Sequence, residues 1–298
     1  MNPGFCIIVL VIASMTAMAH AQDADMPANQ ESVEVKISQA GDVRVKHVIK
    51  DSESAQELKL LDGNVAKISA VDESGNDVAF TMSDESTHIL LLPSEDTIRV
   101  EYDLLDELVQ IDGVWTLDFS YKHTTSFLVP DVVDLIFVND RPVYLGERNG
   151  IACHGCHMLL EYIIDEPSIF ESVKWEEDEF LVEIRTLADI GRLEFEQPSK
   201  SIKFDLDGKG DFVTVIIPTE LVGEPYSVFL DDEKIYFNEY INNGTHAWVN
   251  ARPDSGGELR IIGTTVIPEF SLMIPIIAGF AVIVAVSRFK ASFPARAA

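Results

Sequence analysis

Two cysteines, two histidines and a methionine lie within six residues near the middle of the chain, at Cys153, His154, Cys156, His157 and Met158. Thiolate, imidazole and thioether groups are soft ligands, and Gly155 lets the backbone turn both sulfur atoms toward one point. The segment therefore predicts a soft-metal site in which Cys153 and Cys156 supply sulfur. His154, His157 and Met158 are the candidate further ligands. Copper(I) suits this set best, and zinc is also compatible.

Three other interpretations of the same segment stay open. Cysteines three positions apart in an exported chain can form a short disulfide between Cys153 and Cys156. The spacing C-x-x-C-H is also the attachment pattern of haem c, in which both thiols are alkylated and His157 is the proximal iron ligand. A dithiol redox pair is the fourth interpretation, but it is typical of a strand–helix–strand context, which the surrounding sequence does not show.

Weaker candidates lie further along the chain. Asp205, Asp207 and Asp211 are spaced like the opening of a calcium loop, but the downstream glutamate of an EF-hand is missing. A hairpin turn is the alternative interpretation of these aspartates. Asn243 begins an N-glycosylation acceptor sequence in a turn-rich stretch. The sequence has no G-x-S-x-G, H-E-x-x-H, phosphate-loop or dinucleotide-binding motif, which favours a non-enzymatic protein.

The N-terminal end of the chain predicts export. Residues 5–13 are an apolar run, and Ala19 and Ala21 form the small-residue pattern of a cleavage site. We therefore expect residues 1–21 to be a signal peptide that is removed after Ala21. Cleavage would also remove Cys6, so the mature chain would hold only the two clustered cysteines.

The C-terminal end predicts a membrane anchor. Residues 270–287 carry no charge and reach the length that crosses a bilayer as one helix. Arg288 and Lys290 follow this span, and basic residues favour the cytoplasmic side. We therefore expect a motif-and-anchor segment over 268–290, a cytoplasmic tail over 291–298, and the rest of the mature chain outside the cell.

The charge of the chain excludes one class of partner. Its 298 residues include 50 acidic and 22 basic side chains, which gives a formal net charge of −28. Such a field repels phosphate groups, so nucleic acid is not an expected partner. Hydrophobic residues make up 47% of the chain, more than a disordered acidic segment carries, so we expect folded domains.

The part of the chain between the predicted signal peptide and the predicted anchor has the pattern of β-strands throughout. Apolar and polar residues alternate with period two in short runs that turn sequences such as Asp112-Gly113 separate. This pattern predicts an all-β protein with two Ig-like β-sandwich domains. The Cys-His cluster would lie on a loop or hairpin end between them, where Asn149-Gly150 supplies a tight turn. The expected order is a polar segment over 22–30, a sandwich over 31–145, a connector over 146–167 and a sandwich over 168–267.

The end of the second predicted sandwich carries a family resemblance. The run Ile261–Phe270, followed by the apolar span and a basic tail, resembles the PEFG-CTERM surface proteins of ammonia-oxidising archaea. Pro268, Glu269 and Phe270 match the motif of that family, and Ser271 stands where the family usually has glycine. The resemblance implies a cell-surface location, a sorting transpeptidase that reads the motif, and cell-envelope proteins as partners. It also favours copper, because those archaea depend on copper enzymes.

The first predicted sandwich has a resemblance of its own. Val100–Tyr102, Asp112–Phe119 and Leu128–Pro130 resemble segments of extracytoplasmic β-sandwich domains of archaeal membrane proteins. Those domains are often joined to a cytoplasmic winged-helix reader. Only about eleven residues follow the span here, too few for such a reader to fold. The resemblance therefore implies an extracytoplasmic fold and not a transcription sensor.

Overall fold

The computed structural model of the protein describes residues 27–50, 53–175 and 177–264. These residues form 25 β-strands and no α-helix, so the expected all-β class is confirmed. Within the described part, no helix is long and apolar enough to cross a membrane. The predicted signal peptide, the sorting motif and the predicted anchor lie outside the described residues.

The first lobe, residues 27–163, contains the first fourteen strands of the described chain. They are β1 (Gln30–Ile37), β2 (Val43–Ile49), β3 (Gln56–Lys59), β4 (Asn64–Val71), β5 (Phe80–Met82), β6 (His88–Leu91), β7 (Ile98–Leu105), β8 (Leu108–Ile111), β9 (Val114–Ser120), β10 (Thr124–Leu128), β11 (Leu135–Val138), β12 (Arg141–Tyr144), β13 (Gly150–His154) and β14 (His157–Ile163).

Two main sheets enclose the core of the first lobe. One has the order β13-β10-β1-β2-β7-β4, with β1 and β10 parallel, and the other has the order β12-β11-β14-β9-β8. A small third sheet has the order β3-β6-β5. In β1, the buried Val33, Val35 and Ile37 alternate with the more exposed Glu34 and Lys36. This period of two turns one apolar face of each sheet toward a shared core.

The second lobe, residues 168–264, contains the remaining strands. They are β15 (Ser168–Trp175), β16 (Asp178–Arg185), β17 (Asp189–Ile190), β18 (Glu194–Glu196), β19 (Ser201–Asp207), β20 (Val213–Pro218), β21 (Gly223–Leu230), β22 (Glu233–Lys234), β23 (Phe237–Asn242), β24 (His246–Ala251) and β25 (Gly257–Thr264). They form sheets of order β15-β16-β20-β24-β23 and β17-β19-β25-β21-β22, with β18 paired to β19. A separate apolar core lies within this lobe.

The two lobes meet through a small apolar contact and through ion pairs of Arg252 and Arg185 with carboxylates of the first lobe. Phe137 of β11 stacks on Phe212, with ring centroids 3.5 Å apart, and the Arg252 guanidinium lies 4.3 Å from the centre of the Phe212 ring. The same guanidinium donates two parallel hydrogen bonds to the Glu161 carboxylate, at 3.0 and 3.1 Å. Glu161 is only 4% exposed. In this contact the carboxylate of Glu161 is buried and the guanidinium of Arg252 is partly exposed. We call the contact of Arg252, Glu161, Phe137 and Phe212 the lobe clasp.

The boundary predicted between the lobes is wrong. Residues 146–167 were expected to form a connector, but they include β13 and β14, which pair with strands of the first lobe. Only residues 164–167 lie between β14 and β15. The glycine, cysteine and histidine residues of this stretch suggest a loop, yet the alternation of Met158, Leu160 and Tyr162 is that of a strand with one buried face.

Candidate functional site

The Cys-His cluster lies at a corner where the chain passes twice from one main sheet of the first lobe to the other. Residues 121–123 join β9 to β10, and residues 155–156 join β13 to β14. The two passages run side by side, because β10 pairs with β13 and β9 pairs with β14. The Tyr121 amide donates to the Cys156 carbonyl oxygen at 3.1 Å. The backbone of the cluster is thus fixed by its neighbours.

A disulfide joins Cys153 and Cys156 across this passage, with their Cα atoms 6.0 Å apart. Cys153 lies next to the last residue of β13 and is 9% exposed, and Cys156 is half-buried against the same core. The bond therefore connects the end of one sheet to the start of the other. Of the four interpretations of the segment, the structure contains the disulfide.

Glycine is required at the tip of the passage. Gly155 has a φ of +61°, and a Cβ at this position would lie 2.6 Å from the Lys122 carbonyl oxygen. Both the backbone conformation and the close approach favour a residue without a side chain. The predicted tight turn at Asn149-Gly150 is wrong, because Gly150 opens β13, where its Cα faces the Phe127 carbonyl.

The predicted metal ligands do not converge on one point. Cys153 and Met158 face the core, and Met158 is only 2% exposed. His154 and His157 are exposed, because neighbouring side chains on a strand point to opposite faces. Among the described residues, no group of three or more His, Cys, Asp or Glu side chains is placed to hold a metal. A disulfide sulfur is not a thiolate ligand, so this arrangement does not fit a copper ion held by the full set. It does not fit haem c either, because both thiols would have to be free to form thioether bonds with the porphyrin.

Each exposed histidine of the cluster has a different polar partner. The Nδ1 atom of His154 lies 3.1 Å from the Thr124 hydroxyl oxygen. The Nε2 atom of His157 lies 3.1 Å from a carboxylate oxygen of Asp118, which is itself exposed. These two partners lie in different sheets, so the imidazoles are oriented by separate contacts.

A cavity opens beside the disulfide. Its volume is about 480 Å³, and Lys59 and Asp62 on its wall form an ion pair with a 3.3 Å distance. Cys156 reaches this cavity, whereas Cys153 does not line it. The remaining lining residues are Ser120, Tyr121, Lys122, His123, Gly155 and His157. The cavity thus brings basic side chains to the exposed side of the cysteine pair.

A buried polar network lies behind this corner. The Leu61 amide donates to the Tyr102 hydroxyl oxygen at 2.8 Å, and that hydroxyl lies 3.0 Å from Nε2 of His47. The tyrosine therefore donates its proton to Nε2, and Nδ1 of His47 donates to the Gln30 amide oxygen at 2.9 Å. The Tyr121 hydroxyl also reaches the Gln30 oxygen. The network links β1, β2 and β7 to the residues that lead into β10.

The burial of His47 follows from the strand pattern around it. His47 follows Val43 and Val45 at an inward position of β2, so the period of two predicts burial. Burial, with a smaller contribution from the charge of His123, lowers the pKa of His47 to about 3. The imidazole is therefore neutral at ordinary pH.

The other predicted sites lie elsewhere on the surface. Asp205 and Asp207 point outward from β19, and Asp211 lies in the passage from β19 to β20. The hairpin interpretation is wrong, because β19 and β20 belong to different sheets. Asn243 lies on an exposed turn, where its side-chain oxygen accepts hydrogen bonds from the amides of Thr245 and His246. Calcium at the aspartates and a glycan at Asn243 stay predictions.

No protein-family model matches the chain, and no curated protein matches its sequence. Matches among solved structures include the crystal structure of an aminopeptidase N family protein from Idiomarina loihiensis, at 9% identity and a TM-score of 0.35. The match covers 50% of this chain and 31% of that chain. A likeness of this size carries no argument about activity.

Proposed function

We propose that the protein is an exported, non-enzymatic cell-surface protein, with two Ig-like β-sandwiches outside the cell and one C-terminal membrane anchor. The observation that carries the proposal is the Cys153–Cys156 disulfide. Disulfides persist in oxidising compartments outside the cytoplasm. That location agrees with the signal-like N-terminal end and the apolar span over 270–287.

The disulfide is a structural cross-link within the first sandwich. It ties the end of β13 to the start of β14, where the chain changes sheets. The closed loop has only four residues, so the loop-closure entropy that it removes corresponds to about 2 kcal/mol. The main effect of the disulfide is to fix the backbone between β13 and β14, where His154 and His157 lie.

Metal and haem binding are the alternatives to this assignment. Copper, zinc or haem c would need free thiols at Cys153 and Cys156, so each requires the disulfide to be open. His157 is exposed and accessible to such a group, whereas Met158 would have to leave the core. The separation of these side chains over two faces supports the disulfide form as the resting state.

The membrane and the cell envelope supply the proposed partners. The acidic lobes would face envelope proteins, and a sorting transpeptidase would act at Pro268, Glu269 and Phe270. A glycan on Asn243 fits an exported protein, because this residue lies on an exposed turn. Nucleic acid is not among the proposed partners, because the negative field of the acidic lobes repels phosphate groups.

Protease treatment of intact cells tests the location. We expect a protease added outside to degrade the lobes while a cytoplasmic control protein survives, and the tail after Arg288 to remain with the membrane. Lobes that are protected in intact cells and degraded only after lysis would contradict the proposal. Deleting residues 270–298 should release the lobes into the medium, which is the matched control for anchoring.

A further inference from the structure

The two cysteines of the disulfide differ in their exposure to solvent. Cys153 is 9% exposed and packs within the core of the first lobe. Cys156 is more exposed and lines the cavity beside Lys122 and His157. Thiol–disulfide exchange depends on which sulfur an incoming thiolate can reach. Only Cys156 offers that access.

The cavity wall beside Cys156 carries more basic than acidic side chains, although the chain as a whole has a formal charge of −28. Lys59, Lys122, His123 and His157 line it together with Asp62, and His157 also lies 3.1 Å from the carboxylate of Asp118. Lys59 pairs with Asp62, but in the described part of the chain Lys122 has no carboxylate within ion-pair distance. Nearby cations lower the pKa of a cysteine thiol and stabilise the thiolate.

We propose that the Cys153–Cys156 disulfide is a thiol-exchange site that oxidises a dithiol of another exported protein. This inference rests on the disulfide of the proposed function, but not on the membrane anchor. A stabilised Cys156 thiolate favours the reduced pair, which makes the disulfide an oxidant. A structural cross-link alone would not need one accessible sulfur in a basic cavity.

The exchange has two steps. A thiolate of the partner attacks Sγ of Cys156, the Cys153–Cys156 bond breaks, and Cys153 leaves as a thiolate that takes up a proton. The partner's second thiolate then attacks its own sulfur in the mixed disulfide and releases Cys156. The partner loses two electrons and two protons and becomes a disulfide, and the cysteine pair gains both. One disulfide thus oxidises one dithiol.

Reduction of the native full chain in detergent tests accessibility. Dithiothreitol, without denaturant, should open the disulfide at a rate proportional to its concentration, as measured by alkylation and intact mass. Near-ultraviolet circular dichroism should show that the lobes stay folded. Reduction that occurs only after unfolding in guanidinium would overturn the proposal and would leave the surface location untouched.

Single-cysteine variants test the asymmetry between the sulfurs. In the chain that begins at Gln22, Cys153→Ser leaves only Cys156, and Cys156→Ser leaves only Cys153, so both variants lose the same disulfide. We expect Cys156 to react with Ellman's reagent at least about tenfold faster than Cys153 at pH 7. Equal rates, or a faster Cys153, would overturn the assignment of the attacked sulfur.

A lysine variant tests the role of the basic cavity. In the Cys153→Ser background, Lys122→Gln should raise the thiol pKa of Cys156 and slow its reaction at pH 7 by about threefold. Lys174→Gln is the matched control, because Lys174 is an exposed lysine of the second lobe. Equal rates for the two variants would overturn the electrostatic part of the proposal.

Discussion

At the scale of single residues, His47 is a neutral imidazole enclosed by hydrogen-bonding partners. Tyr102 and Gln30 engage its two nitrogen atoms at 3.0 and 2.9 Å. A protonated ring could not accept the tyrosine proton and would carry a charge in the core. The residue therefore couples the stability of the first lobe to pH.

The low pKa of His47 predicts that the stability of the first lobe falls at acidic pH. The folded pKa is about 3 and the unfolded value is 6.5, so between these values the unfolded chain binds more protons. Stability from this group is complete above pH 6.5 and is lost as the pH falls toward 3, by up to about 1.4 kcal/mol per pH unit. Urea unfolding of His47→Gln between pH 4 and 7 should lack this slope. A His246→Gln control that lost the same slope would contradict the assignment.

Glu166 produces the opposite dependence. Its Oε1 atom is buried without a partner, and burial raises its pKa to about 7. The folded chain therefore binds the extra proton between pH 4.5 and 7, and stability from this group is lost as the pH rises through 7. Glu166→Gln should gain stability over the parent above pH 7, as measured by urea unfolding. The exposed Glu177→Gln should not, and a loss of stability in Glu166→Gln at pH 8 would refute the prediction.

At the scale of elements, the corner between the two main sheets depends on Gly155. Alanine there meets both a positive φ and the Lys122 carbonyl oxygen. Gly75→Ala is the matched control, because Gly75 has a φ of +83° but open space around it. We expect about 1–2 kcal/mol of destabilisation from the backbone conformation alone at Gly75, and clearly more at Gly155. Equal losses in the free energy of unfolding for Gly155→Ala and Gly75→Ala would contradict a steric role for the Lys122 carbonyl oxygen.

Strand positions follow closely from local pattern. The alternation in β1, β2 and β7 and the turn at Asp112-Gly113 were predictable, and both turn residues have positive φ values as a two-residue hairpin turn requires. The strands β10, β13 and β14 were not predicted. The strands β10 and β13 are short, and Gly, Cys and His residues occupy β13 and the start of β14. These segments become strands by pairing with partners that are distant in the sequence.

The candidate site was predictable in composition but not in geometry. The segment is recognisable from its residue types alone, because Cys153, Cys156, His157 and Met158 lie close together in the sequence. Their separation over two faces follows from the strands on either side, which were not predicted. The basic wall of the cavity combines Lys59 with the 121–123 passage, and only the fold brings these together.

At the scale of the whole molecule, we expect the lobe clasp to couple the unfolding of the two lobes. Arg252 is held by Glu161 and Asp140 of the first lobe and by the ring of Phe212. Arg252→Met leaves a carboxylate that is 4% exposed without its partner, which costs about 3–5 kcal/mol. We expect calorimetry to show one transition for the parent and two for the variant. The exposed Arg192→Met should keep one, and a single unchanged transition in Arg252→Met would contradict a coupled pair.

The whole-molecule charge also has a physical meaning. A formal charge of −28 keeps copies of the chain apart and draws cations toward its surface. The basic cavity beside Cys156 is a local exception within that field. A partner that docks there would carry acidic residues near its thiols, which the overall field would disfavour elsewhere on the surface.

We propose an exported chain in which Cys153 and Cys156 are joined to each other and hold no metal or haem. Intact-mass measurement of the protein purified from membranes, under native and denaturing conditions, tests it most directly. We expect a chain that begins at Gln22, lacks two hydrogen atoms relative to the dithiol form, and carries no copper or covalent haem. A chain with free thiols that holds copper, or one heavier by a covalent haem, would contradict it.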